Sequence, residues 1–147
     1  MTMNFSIQSF RAFLLLVFLA VTVSPVAAQR ETPLEKQMAK ISKAYKLLGK
    51  QARAGTFDHN ALARAFADAK LASQAAARLV PAKLAKMNDG SAKKKAIGAY
   101  QKDIKKLTKQ LAATVAICQK RDDKKLKAAL AKLKKAKNAG HDKFTED

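Results

Sequence analysis

SAKKKAIGAYQKDIKKLTKQLAATVAICQ, residues 91–119, is the stretch that decides the fold class. Within it Ile97, Tyr100, Ile104, Leu107, Leu111, Val115 and Cys118 follow one another at intervals of three and four. That is the apolar stripe of an amphipathic α-helix, with lysines on the remaining faces. The segment is far too long for a strand, and its alternation has the wrong period for one. A helix with a single apolar stripe is stable only when neighbouring elements cover that stripe, so partners of the same kind must lie elsewhere in the chain.

They do. Upstream, 34–54 carries Leu34, Met38, Ile41, Tyr45, Leu48 and Ala52 at the same alternating spacing. Between them, 58–79 is alanine-rich, with Leu62, Phe66, Ala69, Ala76 and then Val80 as its apolar line. Downstream, 123–143 has Leu126, Leu130 and Leu133, continuing less regularly to His141 and Phe144. Breakers separate these segments. Pro33 stands at the first helix start, and Gly55–Asp58 forms the first break, with Asp58 suited to N-cap the second helix. Pro81 and Asn88–Ser91 mark the longest connection, and Arg121–Asp123 the last, where aspartates complement a helix N-terminus. Signals for β-structure are nearly absent. Four amphipathic helices with short connections predict an all-α fold, an antiparallel up-down-up-down four-helix bundle.

The first 28 residues do not belong to it. Arg11 precedes an apolar run from Ala12 to Val23, Ser24-Pro25 ends the run, and Val26-Ala27-Ala28 supplies small residues for cleavage. Such a pattern predicts a cleaved secretory signal over 1–28, a periplasmic destination, and no membrane span after cleavage. Of the 147 residues, 119 then remain, 29–147, enough for one core. The formal net charge of +19 falls by one with Arg11. Cys118, the single cysteine, forms no internal disulfide, so stability must come from packing or a bound cofactor.

The bundle topology sorts the chemistry-bearing residues by end. Met38 lies one turn into the first helix, on its core stripe. His141 follows Leu130 by eleven residues, about 20° from it around the helix. Both therefore point inward, at one depth, from helices adjacent in most such bundles. A thioether facing an imidazole is a ligand pair for haem iron. A core methionine and a histidine on a fraying helix end satisfy the same spacing. His59 begins the second helix, at the opposite end, as a surface or capping residue. Tyr100 and Ile104 fall toward the Met38 end, placed to wall an aromatic plane. Met87, in the second connection, lies at that end without a helix to hold it.

Two end motifs carry a family resemblance. Leu34-Glu35-Lys36-Gln37-Met38 resembles the ligand-bearing opening of the cytochrome b-562 family, and Lys137-Asn138-Ala139-Gly140-His141-Asp142-Lys143-Phe144 resembles its closing segment. Pro81-Ala82-Lys83-Leu84 is a weaker third match. The resemblance implies a periplasmic electron carrier with one non-covalent b-type haem, Met38 and His141 being its axial ligands. It also implies Tyr100 and Ile104 against the porphyrin and Lys137 toward a propionate. Where the family often has an aromatic residue before the histidine, this chain has Gly140. Lys137 replaces the usual arginine and meets a propionate only as a point charge. The related cytochrome c-prime bundles attach haem through Cys-x-x-Cys-His; here Lys137–His141 contains no cysteine, which excludes covalent attachment.

A charge of +19 exceeds what solubility requires. It predicts steering toward an acidic redox partner, an anionic surface or a polyanion. The runner-up reading is therefore an exported basic bundle without haem, binding polyanions or acidic partners or serving a structural role. No docking motif or aromatic stacking platform supports specific nucleic-acid binding. Neither an acid–base pair, nor a nucleophile with its base, nor a phosphate-binding glycine loop points to an enzyme. Carboxylates such as Asp58 and Asp122 read as helix caps.

Overall fold

A computed structural model describes residues 31–144. The signal-peptide reading falls on residues outside that range. The described residues are helical throughout, without strands: α1 (Pro33–Ala54), α2 (His59–Ala76), a one-turn α3 (Ala82–Ala85), α4 (Ser91–Gln119) and α5 (Asp123–Phe144).

Each boundary has a local cause. Thr32 Oγ1 accepts from the Glu35 amide at 3.2 Å while the Glu35 carboxylate accepts from the Thr32 amide at 2.6 Å, a capping box ahead of Pro33. Those Thr32 hydrogen bonds hold the Glu35 carboxyl below its ordinary range. Gly55 ends α1 with φ 73°, a left-handed conformation that costs a residue without Cβ nothing. Asp58 caps α2 through the Ala61 amide at 2.9 Å, and its own amide donates to Gln51 Oε1 at 2.8 Å. Asp122 accepts from the Lys125 amide at 2.9 Å at the head of α5. Its carboxyl is lowered by the side-chain and backbone hydrogen bonds from Lys125. The capping roles read from sequence for Asp58 and Asp122 are thus observed.

The end of the second helix falls three residues short of position 79, within the margin of a boundary read from sequence. α2 stops at Ala76, and residues 77–79 turn instead of continuing the helix. The turn carries the chain to Pro81, which is buried and opens α3, because the residue before a proline is pushed out of helical geometry. Val80, assigned to the apolar line of the second helix, consequently lies outside it and is 45% exposed.

The four long helices pack in a ring, α1 on α2, α2 on α4, α4 on α5 and α5 on α1, while α3 lies against α4. The larger core cluster holds Leu48, Leu62, Phe66, Leu111, Cys118 and Leu126 among its fully buried members. Ala69, Ala72 and Ala76 give α2 a smooth face on which α4 sits closely. Within that seam the Ser73 and Thr108 hydroxyls share a hydrogen bond at 2.6 Å, and each also reaches a carbonyl of its own helix, Lys70 at 3.1 Å and Ile104 at 2.9 Å, which satisfies the buried serine. A second, smaller cluster lies apart from the first. Leu84, Tyr100 and Ile104 are buried in it, with Leu34, Ala77, Met87, Ala96, Ile97 and Phe144 partly covered around them.

Candidate functional site

The smaller cluster gathers the first turn of α1, the chain just after α2, α3, the first half of α4 and the last turn of α5. Its geometry is set by Tyr100. The phenol donates to the Ala76 carbonyl at 2.9 Å, tying α4 to the end of α2. Its ring meets Phe144 edge-on, with centroids 5.2 Å apart and planes at 80°. Burial pushes the Tyr100 hydroxyl up to about 12. Lys143 Nζ lies 3.0 Å from Asp103 Oδ2, a second tie between the last turn of α5 and α4.

Of the residues singled out from sequence, Tyr100 and Ile104 are brought together here. Met38 stands on α1 one turn beyond Leu34 with 39% of its surface exposed, and His141 stands exposed on α5 one turn before Phe144. The inward orientation expected of both is not realised as burial. Among the last turns of α5, Phe144 is the residue that packs in the cluster. Lys137 is not in the cluster. Its ammonium lies 5.8 Å from the centre of the Tyr45 ring, a cation–π contact across the α1–α5 seam.

Phe144, Leu34 and Met87 were not assigned to the site from sequence, although the structure groups them around Tyr100. Phe144 had a signal: it comes eighteen residues after Leu126, five full helical turns, and so extends the α5 apolar stripe. Asp103 had a weaker one, a lone acid within the lysine-rich face of α4. Met87 had none beyond its place in the connection.

At the far end of the helices, His59 Nε2 lies 3.1 Å from Asp123 Oδ1, and the imidazole packs near Phe57. Cys118 is buried in the larger cluster, where burial pushes its thiol up, so it behaves as a small apolar residue. Among the described residues no group of three or more His, Cys, Asp or Glu side chains converges as a cation site.

Met38 and His141 supply one soft sulfur and one imidazole, a donor chemistry compatible with haem iron. Leu34, Met87, Ile97 and Phe144 present half-covered apolar surface nearby, of the kind a porphyrin face covers. No helix among the described residues is long and apolar enough to cross a membrane.

No curated protein and no solved structure matches the chain significantly. Residues 33–145, most of the chain and all four long helices, match the family described as Cytochrome b562; the chain belongs to that family, whose members are haem-binding electron-transfer proteins.

Proposed function

We propose that this protein is a periplasmic electron carrier that holds one b-type haem non-covalently, with Met38 and His141 as axial ligands. The observation that carries the reading is the end of the bundle itself. Leu34, one turn before Met38 on α1, and Phe144, one turn after His141 on α5, meet in the partly covered apolar cluster around Tyr100, which supports assigning the two ligands to this end. The up-down-up-down course of the four helices is part of the proposal. It sets the start of α1 and the end of α5 at one end, where Leu34 and Phe144 share a cluster.

Bound haem would supply a one-electron ferric/ferrous couple. This chain's residues would do the rest. Met38 and His141 would hold the iron from the protein side, leaving outer-sphere electron transfer as its chemistry, and a thioether ligand would favour the reduced iron and raise the potential. Leu34, Met87, Ile97 and Phe144 would shield the bound group from water. The Lys143–Asp103 pair holds the last turn of α5 in register, and with it His141.

Absorption spectroscopy during haemin titration, followed by dithionite reduction, tests the reading. The expected result is a sharp reduced α-band saturating at one haem per chain and lost in Met38→Ala and in His141→Ala. No specific band would leave the exported basic bundle without haem as the better description, and a band indifferent to both substitutions would overturn Met38 and His141 as the ligands.

A further inference from the structure

Between α1 and α5 runs an open groove of about 420 Å³. Tyr45, Gly49, Leu130 and Ala131 form its floor; Lys46 and Arg53 line it from α1, Lys127 and Lys134 from α5. No acidic residue lines it. None of its four cations takes part in the ion pairs His59–Asp123, Lys93–Asp89, Lys125–Asp122 or Lys143–Asp103. Gly49 is buried in this floor, where a Cβ would sit in ordinary contact with Arg53 Nη1 at 3.8 Å and Leu130 Cδ1 at 4.0 Å.

The groove is aligned with the candidate ligands. Met38 precedes Tyr45 by seven residues, and His141 comes seven after Lys134. At about 100° per residue each pair shares a helix face, and at 1.5 Å per residue each is separated by about 10 Å along the axis. An object seated in the groove would therefore lie about two turns from Met38 and His141, on the seam where both project.

We propose that this groove is the docking seat of an acidic protein partner, one that presents carboxylates on both sides of a small apolar ridge. The charge complementarity is specific to position, with two cations from each helix and an apolar floor about one turn long, shorter than an extended acyl chain. A nucleic-acid strand would need an exposed aromatic face for stacking. The groove's single aromatic ring, Tyr45, already has the Lys137 ammonium over it. The partner's being a redox protein rests on the electron-carrier reading above; the groove and its preference for an acidic protein surface do not.

The test measures binding of a fluorescein-labelled acidic amphipathic peptide, with leucines spaced among glutamates, to the purified full chain by anisotropy at low salt. Lys127→Glu/Lys134→Glu is expected to weaken binding at least tenfold, and Gly49→Leu, which fills the floor without changing charge, severalfold. Lys94→Glu/Lys95→Glu makes the same change in net charge on α4 and is expected to shift affinity less than twofold. Circular dichroism melts of each variant establish that the helices persist. If the α4 pair weakens binding as much as the groove pair, attraction is diffuse and the proposal is overturned. It is equally overturned if a single-stranded oligonucleotide or an anionic vesicle binds with groove dependence while the peptide does not. Haemin titration of the Lys127→Glu/Lys134→Glu variant separates the two readings. No haem uptake by the parent chain, alongside peptide binding that the groove pair weakens, sinks the carrier and spares the groove; haem uptake by parent and variant alike, with peptide binding indifferent to the groove pair, sinks the groove alone.

Discussion

Tyr100 shows how one residue ties the ends of three elements together. Its ring is 2% exposed, its hydroxyl donates to Ala76 on α2, and its edge meets Phe144 on α5. Burial disfavours the phenolate, so the group titrates near 12 in the folded chain against about 10 when unfolded. Proton counting gives the sign. Above pH 10 the unfolded chain loses this proton while the native chain keeps it, so the contribution of Tyr100 is fully present below pH 10 and disappears between about 10 and 12. Solvent screening at the bundle end reduces the full two-unit effect to roughly 1–2 kcal/mol. Urea unfolding at pH 9 and pH 11.5 should therefore show a larger loss of stability in the parent than in Tyr100→Phe. Equal losses would mean that the phenol is solvated. At pH 7 the substitution should cost only about 1 kcal/mol, because the Ala76 carbonyl also accepts from the Leu79 amide at 3.0 Å.

At the scale of the element, helix ends carry the specificity that the apolar stripes lack. Asp58 closes the α1–α2 connection with three bonds: its carboxylate to the Ala61 amide, its amide to Gln51, and its carbonyl to the Leu62 amide. Asp58→Ala should cost about 1 kcal/mol and Asp58→Ser or Asp58→Asn most of that less, as read from chemical denaturation. Equal losses in all three would place the effect outside the cap. These ends are also where sequence was most informative. Pro33, Gly55, Asp58 and Asp122 each have a local preference strong enough to set a boundary without tertiary help, and the stripes of α1 and α4 repeat long enough to be unambiguous, while that of α5 is regular only over Leu126, Leu130 and Leu133. Less was legible between α2 and α4. An alanine-rich helix has no sharp apolar edge, so nothing in 73–80 distinguishes a helix ending at Ala76 from one reaching Leu79, and the single turn of α3 is too short to show a period. The candidate site was legible only as residue types. That Phe144 lies against Tyr100, or Lys137 over Tyr45, depends on how far α5 slides along its neighbours, which no local pattern encodes.

For the whole molecule, two unequal cores and one sign of charge define the balance of stability. Nine buried residues make up the larger cluster, whereas the smaller has three, ringed by half-covered apolar groups. A charge of +19 opposes compaction at every point of the surface. The end that holds Met38 and His141 is therefore the weaker end. A group that binds there, and only to the folded chain, stabilises by RT ln(1 + [L]/Kd), about 2.7 kcal/mol at a hundredfold excess over Kd. For a bundle of this size that corresponds to a rise in Tm on the order of 10 °C. Thermal melts with and without haemin, free in hundredfold excess over Kd, should show such a rise, reduced in Met38→Ala and abolished in His141→Ala. Screening offers the internal control. Raising salt from 20 to 300 mM shortens the Debye length below the spacing of many surface lysines, on the order of 10 Å, and should raise Tm of the haem-free protein on its own. If the haem effect vanishes at high salt, the added group merely neutralises charge. If it persists on top of the salt effect, apolar contact and ligation at the weaker end account for it, whereas an unchanged Tm at either salt concentration would remove haem from the description of this bundle.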